Sequence, residues 1–229
     1  MHIFRIVLAV GLTAAAATAQ YTPGAGIRGS VHDFSQASWN ITKAGEICGV
    51  CHIPHEKARP AGQVGNPLLW GRSMSQQTFT VYTSPTLNGA ITTPDGTAKL
   101  CLSCHDGTVA LEHFNGQTTG GSTFMAMVRA SAVVPGLPNG DLGNTHPISI
   151  TYDSVADPGL WNPSTRQFGS TAGRVINDVL EGGKVQCRTC HDVHNKDVEA
   201  PDSGPAYLLR VAVKKAAAPS GLCLTCHNK

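Results

Sequence analysis

Four short segments of the sequence each contain two cysteines separated by two residues and followed at once by a histidine. The cysteine pairs are Cys48/Cys51, Cys101/Cys104, Cys187/Cys190 and Cys223/Cys226, and the histidines are His52, His105, His191 and His227. C-x-x-C-H is the motif to which a haem is attached through two thioether bonds, and its histidine is the proximal ligand of the iron. The sequence therefore predicts four covalently attached c-type haems. The motifs are numbered sites 1 to 4 in chain order.

Paired cysteines have two other common uses. Two C-x-x-C pairs can form a zinc site, and cysteines of exported proteins often form disulfides. Neither use requires a histidine directly after every pair, whereas haem attachment does. All eight cysteines of the chain fall in the four motifs, so the pattern favours haem.

Two of the motifs are followed by a second histidine, His55 in "CGVCHIPHE" and His194 in "CRTCHDVHN". If the residues after each motif form a helical turn, histidines at i and i+3 lie on the same side of it. The two imidazoles could then not bind opposite faces of one haem. We therefore expect His55 and His194 each to bind a neighbouring haem, which predicts haems that are nearly in contact.

A lone histidine precedes each of these double motifs, His32 in "SVHDFS" and His146 in "NTHPIS". The order of lone histidine, double motif and plain motif therefore occurs twice, as an internal repeat. The copies span about 28–115 and 140–229, with a linker at about 116–139. Each copy offers two distal ligands for two haems. This predicts four six-coordinate, bis-histidine haems.

A first pairing of distal ligands with haems assigns His55 to site 2 and His194 to site 4. His32 and His146 would then serve sites 1 and 3, or exchange between copies or between subunits. Two alternatives stay open: His32 could be an ordinary surface residue, and His146 could simply begin a strand.

Other side chains compete for the same axial positions. Methionine is an axial ligand in some cytochromes c, and Met74, Met125 and Met127 are the candidates. The supply of histidines makes methionine ligation unnecessary. His113 has no counterpart in the second copy and is predicted to be an ordinary histidine.

The first 19 residues are typical of a secretory signal peptide. A short basic start precedes an apolar stretch at 6–16 and a small-residue cleavage site, Ala17-Thr18-Ala19. We therefore expect an exported, soluble protein beginning at Gln20, without a membrane span. The formal charge of +2 and the lack of a basic patch give no indication of nucleic-acid binding.

Composition predicts a loop-rich fold. Charged residues make up 14% of the chain, against about 25% in typical domains. The 25 glycines and 14 prolines favour turns. We expect a single turn of helix after each motif, a short helix at 173–183 and short strands at 79–83, 148–152 and 207–213. These elements would surround a row of four stacked haems that supplies much of the core.

The segments "SVHDFS", "GEICGVCHIPHE", "CLSCHDGTVAL", "THPISITYD", "CRTCHDVHN" and "LCLTCHNK" carry a resemblance to a known family. The chain resembles the extracellular multihaem cytochromes of metal-respiring bacteria, most closely the tetrahaem OmcE-type subunits that polymerise into conductive filaments. The resemblance implies a loop-rich fold around closely stacked bis-histidine haems. It also implies that a distal histidine can come from a neighbouring subunit, and His32 is the candidate by position.

The predicted function is electron transfer without catalysis. Six-coordinate iron has no open position for a substrate, and two imidazoles favour a lower potential than histidine and methionine together. The expected partners are copies of the chain itself, redox proteins and extracellular acceptors, with the protein secreted or at the cell surface. The alternatives are a monomeric periplasmic electron shuttle and, less in keeping with the motifs, a reductase with an open haem site.

Overall fold

A computed structural model gives the fold of the chain. It describes residues 25–42, 46–53, 69–137, 139–194, 207–211 and 221–228. The predicted signal peptide and His55 lie outside the described residues.

Regular elements are few and short. The α-helices are α1 (Gly96–His105), α2 (Met125–Arg129), α3 (Cys187–Cys190) and α4 (Gly221–Cys226), and two 3₁₀ helices span Ala130–Ala132 and Ile176–Asp178. Strand β1 (Ile150–Thr151) pairs antiparallel with β2 (Lys184–Val185). No helix within the described ranges is long and apolar enough to cross a bilayer. This scarcity of regular structure agrees with the loop-rich fold expected from the composition.

The structure corrects several local predictions. The strand expected at 148–152 is present only as β1. In 79–83 a single bridge, Thr80 to Asp141, replaces the expected strand, and in the described part of 207–213 only Leu209 forms a bridge. The helix expected at 173–183 is a single 3₁₀ turn. Alternating apolar residues favour extended backbone, but a strand also needs an extended partner, and the partner of Thr80 is a turn.

Three separate apolar clusters form the core of the described residues, and each lies beside a cysteine motif. The first contains Phe168, Ile176, Val179, Leu180, Val185 and Val211 and contacts Cys226. The second contains Trp39, Val50, Leu111, Phe114 and Met125 and contacts Cys51 and Cys104. The third contains Leu102, Leu137 and Leu142, of which Leu102 belongs to α1 between the cysteines of site 2.

The segment predicted as a linker, 116–139, is part of this packing. It contains α2, and Met125 at the start of that helix is buried in the cluster around Trp39. Leu137 is buried against Leu102 of α1. The apolar side chains of the segment therefore fasten it to the helix that carries site 2.

Polar contacts join the two copies of the repeat at the start of α1. The Glu181 carboxylate accepts hydrogen bonds from the backbone N–H (3.1 Å) and the hydroxyl (2.5 Å) of Thr97. A carboxylate is stabilising near a helix N-terminus because of the helix dipole. Gly96 has a φ of +48°, and a Cβ there would collide with the Glu181 carboxylate. Glycine at 96 is therefore what allows the second copy to cap the helix of the first.

A charged contact adjoins this cap. Lys184 lies 2.5 Å from the Asp95 carboxylate, and the Gln186 side chain donates to the same group at 2.7 Å. Burial raises the pKa of Asp95, but the hydrogen bonds from Lys184 and Gln186, the Ser149 hydroxyl and the charge of Lys184 outweigh it. The net result is a pKa below the ordinary value of 3.8.

The Asp95 contact predicts a pH-dependent contribution to stability. Because the pKa of Asp95 is depressed in the folded chain, its contribution is present above the unfolded pKa and is lost as the pH falls through the folded value. Asp95→Asn should therefore lower the free energy of unfolding at pH 7, and the difference from the native chain should shrink below about pH 3.8. Urea denaturation at pH 7 and pH 3 measures it. Lys184→Met should reproduce the effect, and a difference independent of pH would contradict it.

Candidate haem sites

In each site the two cysteines lie on one helical turn, and the N–H of the histidine at sites 1, 3 and 4 donates to the carbonyl of the first cysteine. Site 2 occupies the end of α1, α3 carries site 3 and α4 carries site 4. At site 1 the N–H of His52 donates to the carbonyl of Cys48 at 2.9 Å, the bond of an α-helical turn. Residues three apart on such a turn share a face, so both thiols of a site can reach one planar ring. All eight cysteines are free thiols.

Three pairs of histidines lie at nearly the same separation. The ring centroids are 6.0 Å apart for His32 and His105, 6.2 Å for His52 and His194, and 6.5 Å for His146 and His227. Each pair joins the histidine of one motif to one of the predicted distal ligands. The structure thus brings together six of the eight predicted ligands at sites 1, 2 and 4.

Two imidazoles bound to one iron from opposite sides would have this separation. A nitrogen ligand lies about 2.0–2.1 Å from a transition metal and the ring centroid about 1.1 Å beyond it, which places the two centroids about 6.2–6.4 Å apart. The observed values of 6.0 to 6.5 Å span this range. The centroid separations at these three sites therefore match those of two imidazoles on one iron.

Hydrogen bonds fix the orientation of several ligand rings. The Nδ1 atoms of His105 and His191 each lie 2.6 Å from a carbonyl oxygen, that of Ala132 and that of Tyr207 respectively. His146 Nδ1 makes the same contact with the carbonyl of the next residue at 2.9 Å. A carbonyl can only accept, so Nδ1 carries the proton and Nε2 is left to bind a metal. Such outer hydrogen bonds are typical of metal-binding histidines.

His32 and His105 are held in the form that binds metals. Burial, and then the neighbouring His105, lower the pKa of His32 to about 4. Burial likewise lowers the pKa of His105. Metals bind the neutral imidazole. The Nδ1 of His32 is also buried, with no hydrogen-bond partner among the described residues.

Burial disfavours the charged form of three of the cysteines. Burial raises the pKa of Cys51 and Cys226 to about 12 and that of Cys190 to about 11. A zinc site, by contrast, binds its cysteines as thiolates. The described residues contain no group of three or more His, Cys, Asp or Glu side chains placed to hold a metal ion.

Neighbouring sites in the sequence are neighbours in space. The Cys51 and Cys104 side chains pack on one apolar cluster, which places site 1 beside site 2. Helix α1 contacts α3, and the Cys101 thiol donates a hydrogen bond to Cys187, which raises the pKa of Cys101. Besides burial, Cys190 helps to raise the pKa of Cys226, and Cys223 helps to raise that of Cys190. Each motif therefore lies beside the next motif in the chain.

The pairing in the structure differs from the first pairing suggested by the sequence. His194 lies beside His52 of site 1 and not at site 4. His32 lies beside His105 of site 2 rather than at site 1 or 3. His146 lies beside the histidine of site 4. The order of motifs along the chain does not fix these pairs, because the loops between them decide which rings meet.

The reason given for the second histidine is also corrected. The backbone of His191 is extended, with φ −113° and ψ 139°, so α3 ends before the C-x-x-H segment begins. The Asp192 carboxylate accepts the N–H of His194 at 3.1 Å and holds the turn that follows. His194 therefore reaches a different site because the chain turns away from α3, and not because a helix places both rings on one side.

His191 belongs to none of the three pairs among the described residues. The remaining distal candidate, His55, which the sequence assigned to site 2, lies outside them. His32 is partly buried beside its own chain's His105, a placement that favours ligation within the chain over ligation of a neighbouring subunit.

The competing ligands lie elsewhere in the described structure. Met125 is buried among Trp39 and Phe114, and Met127 is 71% exposed. Met74 is partly buried, and its carbonyl accepts a hydrogen bond from the neighbouring Gln76 side chain. The His113 ring has a buried Nε2 without a hydrogen-bond partner, but it forms no pair with a motif histidine in the described ranges.

Site 4 is covered by an earlier segment of the chain. Trp161 donates through its backbone N–H to the Cys226 carbonyl at 2.9 Å, and Asn228 donates to the carbonyl of Gly159 at 3.0 Å. The Tyr152 hydroxyl donates to the Cys226 carbonyl at 3.1 Å. Residues 152–161 thus contact site 4 in addition to the residues that follow His227.

Three buried charged residues near the sites were not singled out from the sequence. They are Arg72, Asp106 and Asp192, which are 1%, 0% and 5% exposed. Asp106 and Asp192 directly follow the motif histidines of sites 2 and 3, so the shared "CHD" was the signal that could have found them. Arg72 has no such signal.

No known protein-family model matches this chain, and no curated protein matches it significantly.

Proposed function

We propose that this chain is a tetrahaem c-type cytochrome that transfers electrons and catalyses no reaction of its own. The observation that carries the proposal is the set of three histidine pairs at 6.0 to 6.5 Å, each joining a C-x-x-C-H histidine to a predicted distal ligand. A haem held this way exchanges one electron between its ferric and ferrous forms. At these three sites a histidine would bind the iron from each side and would leave no position for a substrate.

The assignment of the fourth site follows by count. After three pairs are formed, His191 is the remaining motif histidine and His55 the remaining distal candidate. We assign His55 to site 3. With His194 at site 1, the two C-x-x-C-H-x-x-H segments then exchange their distal ligands between the copies of the repeat.

The chain itself supplies attachment and spacing. Eight thiols fix four cofactors covalently, and the contacts between Cys101 and Cys187 and between their helices keep sites 2 and 3 adjacent. Electron transfer needs such proximity along the whole row. The packing of Cys51 with Cys104 supports the same arrangement at one end.

The first test of the proposal is the haem content of the exported chain. Produced in a host that matures c-type cytochromes, the denatured chain should retain the mass of four haems, and its ferric spectrum should be entirely low-spin. The double variant Cys101→Ala/Cys104→Ala should retain three haems. A denatured chain with the mass of the bare polypeptide would overturn the proposal, and a high-spin fraction or carbon monoxide binding in the native chain would favour a reductase.

The secreted filament and the monomeric shuttle in the periplasm differ in assembly. The resemblance to filament subunits favours a homopolymer that passes electrons to redox proteins or extracellular acceptors. The pairing of His32 with His105 inside one chain favours the monomer, since this site needs no ligand from a neighbour. Electron microscopy of the native protein separates them, because discrete particles alone would exclude the filament.

A further inference from the structure

A buried carboxylate adjoins the iron ligand of site 2. Asp106 directly follows His105 and is 0% exposed. Its carboxylate accepts hydrogen bonds from the Ser75 hydroxyl and from both the hydroxyl and the backbone N–H of Thr108, the latter two at 2.8 Å. All these donors are neutral, and no cation contacts Asp106 among the described side chains.

The Asp106 carboxylate lies at a position where a negative charge lowers the stability of the fold. Asp106 caps the C-terminus of α1 and its N–H donates to the Leu102 carbonyl. The C-terminal end of a helix carries partial negative charge, so an acidic side chain there is disfavoured. Burying a charge without an opposite charge adds a further cost. Residues that oppose stability in this way are often found at functional sites.

The corresponding positions of the other three sites are different. Ile53 at site 1 is buried and apolar, and Asn228 at site 4 is uncharged. Asp192 at site 3 is a carboxylate, but the Arg210 guanidinium lies 3.8 Å from it. Within the described residues, site 2 is therefore the one site whose proximal histidine is followed by a buried carboxylate with neutral partners only.

We propose that Asp106 gives site 2 the lowest reduction potential of the four. A negative charge in a low-dielectric environment stabilises the ferric form of an adjacent haem, which carries one more positive charge than the ferrous form. This inference rests on the proposed electron-transfer function.

The test is a spectroelectrochemical titration of the holoprotein and its Asp106→Asn variant. The variant keeps the side-chain shape and removes the charge, so the lowest of the four potentials should rise. We expect its one-electron equilibrium constant to change at least tenfold, which corresponds to 59 mV. The matched control Asp192→Asn/Arg210→Met removes a carboxylate and its paired guanidinium together, so the net charge is unchanged and the potential should shift by less. Equal shifts, or no shift in Asp106→Asn, would overturn the inference.

In a second variant the same reduction potential should shift in the opposite direction. Ser75→Ala removes one donor to the carboxylate and leaves the charge in place, so the same potential should fall. A purely structural role for Asp106 would not move the potential in opposite directions in the two variants. The reduction step with the lowest potential is assigned to site 2 if that step is missing from the titration of the Cys101→Ala/Cys104→Ala variant. A native chain without covalent haem would refute the proposed function itself, whereas four haems with unaltered potentials would refute only the role of Asp106.

Discussion

Under the proposed tetrahaem assignment, replacing His194 with alanine is expected to convert the haem of site 1 from low-spin to high-spin. The His194 ring lies 6.2 Å from that of His52, with an angle of 17° between the ring planes. Alanine cannot bind iron, so this site should keep only its proximal ligand and gain an open position. Electron paramagnetic resonance of the ferric protein and carbon monoxide binding to the ferrous protein measure the change. One quarter of the haem should respond.

Cysteine variants identify the haem that responds. In a His194→Ala background, Cys48→Ala/Cys51→Ala should abolish the high-spin signal, since it removes the cofactor of site 1. Removing the cofactor of site 4 by Cys223→Ala/Cys226→Ala should leave the signal intact. The opposite result would restore the pairing first suggested by the sequence.

His113 offers the matched control for this experiment. It is also a partly buried histidine, but it forms no pair with a motif histidine among the described residues. His113→Ala should leave all four haems low-spin. A high-spin signal in that variant would assign it an axial role that neither the sequence pattern nor the ring separations support.

Replacing Arg72 with methionine is expected to have the largest effect on stability. The guanidinium is buried, with its residue 1% exposed, and donates to the carbonyls of Val50 (3.4 Å), Leu111 (3.1 Å) and Ala110 (3.4 Å). It also lies 5.6 Å from the centre of the Phe114 ring. Methionine would leave three buried acceptors without these donors. We expect a loss of about 3–5 kcal/mol in the free energy of unfolding.

Chemical denaturation followed by circular dichroism measures this loss. Arg129→Met is the matched control, because Arg129 is an exposed arginine at the end of α2, and a surface change of this kind is worth within about 0.5 kcal/mol. Arg72→Lys keeps the charge but not the forked geometry and should fall between the two. An Arg72→Met chain as stable as the control would show that the carbonyls find other partners.

The candidate ligands could be identified from the sequence, but their pairing could not. The motif spacing places two thiols and an imidazole on one turn, which is a local property of the helix. Which distal ring meets which motif depends on loops: the extended backbone at His191 carries His194 away from α3 and towards site 1. No pattern of residue types along the sequence shows in which direction the chain turns after α3. The same holds for Arg72, whose partners lie 22 to 39 residues away.

The low content of regular structure could be predicted from the sequence, but the positions of the individual strands and helices could not. Glycine and proline content predicted turns, and the structure has few and short regular elements in its described parts. The strand pattern at 148–152 found a partner in β2, whereas that at 79–83 met a turn. The alternation of apolar and polar residues in one segment does not show whether the segment opposite is extended. The packing of the linker against α1 was missed for the same reason.

The meeting of His52 with His194 also bears on biosynthesis. A ribosome makes the chain from its amino end, so the first motif is complete 142 residues before the imidazole that faces it has been polymerised (194 − 52). Under the proposed assignment, a product that ends before residue 194 would lack the second histidine of site 1, and an iron bound there would be open to small reactive molecules.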